Sequence, residues 1–176
     1  FGERPALGFT PSYSMHPLIA KVIGTKWNDG GRRADFSLDL AKAKSDIAKI
    51  KPGLTFITTP NNPTGTTVTL AEIEELAVAT GQIQGLLIID EAYAEFSDQA
   101  SAVTLLAKYS NLVVIRTMSK AFAFAGARLG YLVANKELVS AMFLVRLPYH
   151  LSSLTQAAAE VALQYQSELL GNVSTL

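Results

Sequence analysis

The stretch that decides the fold runs from Leu86 to Tyr93 and reads LLIIDEAY. Its four consecutive aliphatic residues form a strand-sized apolar run, which is typical of a strand buried on both faces of a mainly parallel sheet. Asp90 closes the run, and a carboxylate at the end of a buried strand is costly unless a cationic group meets it. The stretch therefore predicts a central strand with an acid at its carboxyl end, or an acid that caps the next helix.

The same strand pattern recurs on both sides of this stretch, with amphipathic segments between the strands. The further strand-like runs are 54–58 (LTFIT), 112–115 (LVVI) and 129–133 (LGYLV). Helical patterns cover 39–50, 137–146 and 155–170. A further helical segment opens at Thr69, where Thr69 and Glu72 match a capping box. Strands that alternate with helices predict an α/β fold, a mainly parallel sheet with helices on both faces.

Composition limits the classes of function. The chain has 176 residues and 49% hydrophobic content, enough for one packed domain. Lys plus Arg and Asp plus Glu number 15 each, so nothing favours a nucleic-acid partner or an anionic membrane surface. There are no cysteines and only two histidines, so we expect no metal site. No apolar stretch is long enough to span a bilayer, and we expect a cytoplasmic enzyme.

A second polar motif is the turn 60–65 (PNNPTG), which directly follows the predicted strand 54–58. Its two prolines and its glycine make a stiff turn that can continue neither neighbouring element. The ordinary interpretation is a connector. The carboxyl end of a strand is, however, where open α/β sheets bind ligands, and this position raises the odds of a functional role for Asn62.

A third motif, 117–120 (TMSK), follows the strand 112–115, and Arg128 comes eight residues after Lys120. A lysine among Ala and Phe residues is expected to be poorly solvated, which favours its neutral, nucleophilic form. The hydroxyls of Thr117 and Ser119, together with Arg128, could hold a phosphate. Taken alone, a lysine at a strand end is usually a surface residue.

The three motifs are informative together, because the carboxyl ends of neighbouring parallel strands meet at one edge of a sheet. An amide, an acid with a phenol, and a lysine with hydroxyls and an arginine would converge there. The matching ligand has a cationic ring atom, a ring oxygen, an aldehyde and a phosphate. Pyridoxal 5'-phosphate (PLP) has all four groups.

These motifs also carry a resemblance to a known family. NPTG at 62–65, DEAY at 90–93, SK at 119–120 and the arginine eight residues later resemble the aspartate-aminotransferase-like superfamily of PLP enzymes. The longer stretches resemble the histidinol-phosphate aminotransferase family: 11–15 (PSYSM), 60–65 (PNNPTG), 114–122 (VIRTMSKAF), 125–131 (AGARLGY) and 146–151 (RLPYHL). Family members often carry Asn where this chain has His150.

The resemblance implies a role for each matching residue. Lys120 would carry the cofactor aldehyde and shuttle a proton, Asp90 would pair with the ring nitrogen, and Tyr93 would bind the ring oxygen; these three would be catalytic. The other cofactor-binding residues would be Asn62 at the ring oxygen, Tyr13 stacked on the ring face, and Thr117, Ser119 and Arg128 at the phosphate.

Two positions outside these motifs remain open. Tyr149 and His150 would lie near a dimer interface and contact the phosphate end of a substrate, or His150 would simply pack in a loop. For His16 the only role that we expect is a helix-start position before Pro17.

The resemblance further implies a reaction and an assembly. The reaction would interconvert histidinol phosphate and 2-oxoglutarate with imidazole-acetol phosphate and glutamate, in histidine biosynthesis, by a homodimer. Residues 1–176 would be an incomplete PLP-binding large domain, with an amino-terminal part and a carboxyl-terminal small domain outside them. We expect these residues alone to have little transaminase activity.

Three other functions are compatible with the same motifs. One is a PLP aminotransferase of aromatic amino acids, and another is a PLP decarboxylase of amino-acid phosphates. The third is a transcription regulator in which a PLP-binding domain is a sensor behind a DNA-binding segment. The presence of Lys120, Asp90, Tyr93 and Arg128 together favours an enzyme over the regulator.

Overall fold

A computed structural model describes residues 3–175 of the chain. Within these residues are six strands, six α-helices and four short 3-10 helices; strands and α-helices alternate as far as the fourth strand, and three α-helices follow the sixth strand. The strands are β1 (Ala6–Gly8), β2 (Trp27–Asp29), β3 (Leu54–Thr58), β4 (Leu86–Asp90), β5 (Leu112–Thr117) and β6 (Gly130–Ala134). The helices are α1 (Met15–Val22), α2 (Leu40–Ile50), α3 (Leu70–Gln82), α4 (Lys136–Val145), α5 (Ser153–Gln164) and α6 (Gln166–Gly171).

The strands form one sheet in the order β2-β1-β3-β4-β5-β6. The first five strands are parallel, and β6 pairs with β5 in the antiparallel direction. Thr58 of β3 is in register with Asp90 of β4, and Asp90 is in register with Ile115 of β5. The prediction of a mainly parallel α/β sheet is therefore confirmed, and the ends of β3, β4 and β5 lie side by side.

The main core lies between one face of the sheet and helices α2 and α3. Every second residue of the central strands points to this face, because successive side chains of a strand alternate. Fully buried aliphatic side chains from the sheet meet those from the helices: Leu7, Ile57, Leu87, Ile89, Leu112 and Val114 with Ala43, Ile47, Ile73 and Leu76. This packing holds the central strands rigid beneath their polar ends.

Helix α1 covers the opposite face. The ring of His16, in the first turn of α1, stacks on Phe56 of β3 with the ring centroids 4.8 Å apart. Phe56 precedes the core residue Ile57, so the two side chains point to opposite faces. Helices therefore lie on both faces of the sheet, as predicted.

Two of the predicted helix starts are confirmed by their caps, whereas α4 and α5 begin slightly earlier than predicted, at Lys136 and Ser153. The Thr69 hydroxyl accepts a hydrogen bond from the Glu72 N–H and the Glu72 carboxylate accepts one from the Thr69 N–H, the reciprocal capping box. Asp39 caps α2 by accepting from the Lys42 N–H. No helix within residues 3–175 is long and apolar enough to cross a membrane.

Several elements differ from expectation. The sequence pattern did not indicate β1 or β2, because strands of three residues are too short to show a period of two, and of α1 it indicated only the start, at His16. The predicted helix 155–170 is divided at Tyr165 into α5 and α6. The strand predicted at 129–133 is β6, shifted by one residue and exposed rather than buried on both faces, because it forms the antiparallel end of the sheet.

Candidate active site

A cavity of about 270 Å³ opens at the carboxyl ends of β3, β4 and β5, near the lower end of the range for small-molecule sites. All eight residues predicted to bind a cofactor line it: Tyr13, Asn62, Asp90, Tyr93, Thr117, Ser119, Lys120 and Arg128. Thr58, Ala92, Ile115 and Arg116 complete the lining. The three strands are parallel neighbours, so motifs that lie about 30 residues apart in sequence meet at one end of the sheet.

Asp90 provides a buried carboxylate, with 5% of its surface exposed. Its Oδ1 accepts a hydrogen bond from the Ala92 N–H at 3.0 Å, and its Oδ2 lies 3.1 Å from Nε2 of His16. The strand therefore ends in an acid that is held by two donors rather than by a helix cap, since no α-helix follows β4 directly. An acid placed in this way suits a cationic N–H group of a ligand.

His16 is one of the site residues that the motifs did not indicate. The helix-start role expected for it is incomplete, because its ring contacts Asp90, stacks on Phe56 and meets the edge of Tyr13 with the centroids 5.4 Å apart. The available signal was proximity in sequence: His16 lies three residues after Tyr13, in the first turn of α1. Its packing connects a predicted ligand-stacking residue to the buried acid.

Tyr93 and Asn62 approach each other from different strand ends. The Asn62 Nδ2 and the Tyr93 Oη are 3.4 Å apart, long for a hydrogen bond, and both line the cavity. Two donors in this arrangement can converge on one oxygen atom of a ligand. The turn that carries Asn62 ends at Gly65, whose φ of +71° is the left-handed conformation that favours glycine.

Lys120 supplies an amine at the mouth of the cavity. Its Nζ lies 5.3 Å from the centroid of the Tyr93 ring, a cation–π distance. The expectation that this lysine is poorly solvated is wrong for the chain as described, in which Lys120 is exposed. Lys120 lies in a loop that is closed by hydrogen bonds from the Ala123 N–H to the Lys120 carbonyl and from the Phe124 N–H to the Met118 carbonyl, and its side chain lines the open cavity rather than the packed core.

Ser119 and Arg128 form a cluster suited to an anion. The Thr117 hydroxyl donates to Ser119 Oγ at 2.9 Å and accepts from the Ser119 N–H at 3.1 Å, so Thr117 orients Ser119. One guanidinium nitrogen of Arg128 donates to the Ala125 carbonyl at 2.9 Å. Arg128 makes no ion pair within residues 3–175, which leaves its charge available for a phosphate.

In the wall of the cavity, Arg116 of β5 is bound to the buried Glu91. Its Nη2 and Nε lie 2.7 and 3.0 Å from Glu91 Oε2, and its Nη1 lies 3.4 Å from Glu95 Oε1. Burial lowers the pKa of Arg116, but its hydrogen bonds and attraction to Glu91 outweigh that effect and raise the pKa above its ordinary value. Glu91 directly follows Asp90 and Arg116 directly precedes Thr117, so the ion pair connects two motifs of the site. The sequence pattern did not predict this pair.

Tyr149 and His150 lie outside this cavity. Tyr149 is 99% exposed, and His150 lines a neighbouring groove of about 730 Å³ with residues of β6 and α4 such as Tyr131 and Phe143. This groove shares the lining residues Ile115 and Arg116 with the cavity. The substrate role of Tyr149 and His150 stays a prediction. Within residues 3–175 no three His, Asp or Glu side chains form a group that could hold a metal ion.

Comparison with known proteins agrees with this geometry. A family model described as aminotransferase class I and II matches residues 1–175. The histidinol-phosphate aminotransferases of Rhodococcus opacus (strain B4) and Mycobacterium leprae (strain TN) are 55% and 53% identical to the chain over 174 residues. Each match covers 98% of this chain and 45% of the relative, so the chain spans about half the length of these curated relatives.

Solved structures with similar folds include two histidinol-phosphate aminotransferases. That of Clostridium acetobutylicum is 28% identical with a TM-score of 0.86, over 95% of this chain and 51% of its own. That of Sinorhizobium meliloti, solved with pyridoxal-5'-phosphate, is 25% identical with a TM-score of 0.87, over 98% of this chain and 48% of its own. With the family model matching nearly every residue and the sheet of these enzymes present, the chain belongs to the class I and II aminotransferase family.

Proposed function

We propose that the protein containing this chain is a PLP-dependent aminotransferase that interconverts histidinol phosphate and 2-oxoglutarate with imidazole-acetol phosphate and glutamate. The observation that carries the proposal is the convergence of Lys120, Asp90 and Arg128 on one cavity. The choice of histidinol phosphate is supported by relatives of that name at 53–55% identity. The reaction is a step in histidine biosynthesis.

The residues of the cavity fit PLP group by group. The buried, doubly held Asp90 suits the ring nitrogen, and the Asn62–Tyr93 pair suits the ring oxygen. Lys120 offers an amine for the aldehyde. Ser119 and Arg128 suit the phosphate, while Thr117 serves mainly to orient Ser119.

When bound, PLP supplies an aldehyde that exchanges amines and a ring that accepts an electron pair. Asp90 would hold a proton on the ring nitrogen, and His16 would keep the carboxylate oriented for this task. Lys120 Nζ would bind the aldehyde in the absence of substrate, and as a free amine it would hold and move the proton taken from the substrate α-carbon. Tyr93 and Asn62 would donate hydrogen bonds to the ring oxygen, and Tyr13 would cover the ring face.

We further propose that residues 1–176 are an incomplete large domain, with an amino-terminal part and a small domain elsewhere in the protein. The coverage of 45% of the relatives' length supports this division. We propose a homodimer in the cytoplasm, where the suggested substrates glutamate and 2-oxoglutarate are available. Contact of Tyr149 and His150 with the phosphate end of the substrate belongs to the same proposal.

The test is a single-turnover reaction of the full-length protein loaded with PLP, followed by the absorbance of the bound cofactor. Histidinol phosphate is added in one cuvette and phenylalanine in the other. A fast response to histidinol phosphate and a weak one to phenylalanine supports the proposal. The reverse result would favour an aromatic aminotransferase.

Two lysine variants serve as controls for this experiment. Lys120→Ala is expected to abolish the response, whereas Lys136→Ala, which removes an exposed lysine outside the cavity, is expected to leave it intact. Cofactor held on Lys120 with no response to either substrate would contradict transamination. That outcome would leave the decarboxylase or the sensor as the better explanation.

A further inference from the structure

Asn61, the neighbour of the predicted cofactor ligand Asn62, is buried and fully engaged in hydrogen bonds. Only 3% of its surface is exposed. Its Oδ1 accepts from the Ser12 hydroxyl at 2.8 Å, and its Nδ2 donates to the Pro11 carbonyl at 3.0 Å and to Thr64 Oγ1 at 2.7 Å. Two of these three bonds cross to a segment 49 or 50 residues earlier in the chain.

These crossing bonds connect two walls of the cavity. Ser12 directly precedes Tyr13, and Asn61 directly precedes Asn62. The hydrogen bond between Ser12 and Asn61 therefore connects the segments that carry these two predicted cofactor ligands. The Ser12 oxygen also lies 3.1 Å from Thr58 Oγ1, at the end of β3. We call the contacts among Ser12, Asn61 and Thr58 the Ser12–Asn61 latch.

Neither Ser12 nor Asn61 lines the cavity, so the latch acts through its neighbours. The turn itself does not need the Asn61 side chain for closure. The backbone already closes it with bonds from the Gly65 N–H to the Asn61 carbonyl and from the Asn61 N–H to the Thr66 carbonyl. The side chain is therefore free to fix the Tyr13 segment against the turn.

We propose that Asn61 is a positioning residue that, through Ser12, sets the separation between the Tyr13 ring and the Asn62 amide across the cavity. This inference rests on the proposed function, because it assumes that Tyr13 and Asn62 face PLP. Without the latch, the Tyr13 segment keeps its anchor at Asp29, which accepts from the Thr10 N–H, but loses the anchor next to the ring. The bound cofactor would then be held less tightly and in a less defined orientation.

The experiment compares Asn61→Ala and Ser12→Ala with Asn111→Ala in the full-length protein. Asn111 is a matched control, because its Nδ2 also makes two hydrogen bonds, to the Ala77 carbonyl at 2.9 Å and Thr80 Oγ1 at 3.0 Å, but at the opposite end of the sheet. The measurements are the PLP dissociation constant, the visible circular dichroism of bound PLP and the thermal unfolding midpoint of the cofactor-free protein.

Both latch variants are expected to weaken PLP binding about tenfold, equivalent to about 1.4 kcal/mol, and to reduce the visible dichroism of the cofactor. Asn111→Ala is expected to lower the unfolding midpoint without changing either cofactor signal. If the latch variants behave like Asn111→Ala, the latch is merely structural and the inference is overturned. Should Asn61→Ala not fold, Ser12→Ala decides, because it removes the bond from the Ser12 hydroxyl to Asn61 and leaves the turn complete.

Failure of the proposed function would be seen in the wild-type protein, before any substitution is compared. A wild-type protein that gives no visible dichroism with PLP would overturn both the proposed function and this inference. A normal wild-type signal that the latch variants leave unchanged would overturn the inference alone.

Discussion

At the scale of single residues, the pair formed by His16 and the buried Asp90 is expected to contribute to stability as well as to function. Removal of His16 leaves Asp90 Oδ2 without this partner, and a buried acceptor that loses its partner costs about 1–3 kcal/mol. We expect His16→Ala to reduce the free energy of unfolding by that amount in a denaturant titration of the cofactor-free protein. His150→Ala, which removes an exposed histidine, is the control and should change it by less than about 0.5 kcal/mol. Equal losses from the two variants would contradict this role.

Thr55 carries a buried hydroxyl with no hydrogen-bond partner within residues 3–175, although its residue is 0% exposed. Valine has nearly the same shape without the hydroxyl, so Thr55→Val should raise the free energy of unfolding by about 1 kcal/mol. Thr80 is the matched control, because its equally buried hydroxyl donates to the Leu76 carbonyl at 2.7 Å. Thermal denaturation of Thr80→Val should show a loss of about 1 kcal/mol. A loss in both variants would mean that Thr55 does have a partner in solution.

At the scale of elements, Arg116 and Glu91 bind the ends of β5 and β4 to each other. The Glu91 side chain is 4% exposed and that of Arg116 is 21% exposed, so solvent screens the pair only in part. Arg116→Met leaves a buried carboxylate without its cation and should cost about 3 kcal/mol. The double variant Glu91→Gln/Arg116→Met should cost less than Arg116→Met alone, because no charge is then left buried.

The control for these substitutions is Lys44→Met, which breaks an exposed ion pair with Glu75. It should lower the free energy of unfolding by less than about 1 kcal/mol. All variants are compared by denaturant titration under the same conditions. Equal costs of the single and double Arg116 variants would show that the buried charge is not the source of the loss.

Asp29, at the end of β2, anchors the segment that carries Tyr13. Burial raises its pKa, but hydrogen bonds from the Thr10 hydroxyl and N–H and the Gly31 N–H, with the charge of Lys42, outweigh burial and hold the pKa below its ordinary 3.8. A lowered pKa in the folded state stabilises the protein above the ordinary pKa, and this stabilisation is lost as pH falls through the lower folded value. We therefore expect Asp29→Asn to be less stable than wild type at pH 7, with the difference shrinking below about pH 4. Unfolding midpoints measured across pH would contradict this if the difference stayed constant.

At the scale of the whole molecule, the described part of the chain exposes large apolar side chains in and around α4 and α5. Leu144, Leu147 and Leu154 are 87%, 74% and 82% exposed, which suits surfaces that pack against the rest of a longer protein. We expect residues 1–176, produced alone and mixed with PLP, to transaminate at most about 1% as fast as the full-length protein, because poorly positioned catalytic groups lose rate steeply. A rate close to that of the full-length protein would contradict both this prediction and the proposed domain division.

Much of the fold was predictable because its determinants are local. Four continuous apolar runs indicated β3 to β6, and the capping-box residues Thr69 and Glu72 marked the start of α3 to within a residue. The site was predictable for a related reason: Asn62, Asp90 and Lys120 directly follow strands, and parallel pairing leaves strand ends at one edge. The short strands β1 and β2 carried too few residues for any period to show.

The sequence by itself determined which residues form the central strands, where three polar motifs lie relative to them, and that these motifs converge. Only the tertiary structure decided which side chains support them: His16 against Asp90, Arg116 against Glu91, and Asn61 against Ser12. It also decided that Lys120 is exposed and that Tyr149 and His150 lie outside the cavity. The physical reason is that a residue's place in an element follows from local hydrophobic period and backbone preference, whereas contacts between residues 25 to 74 positions apart depend on how the helices and loops pack onto the sheet.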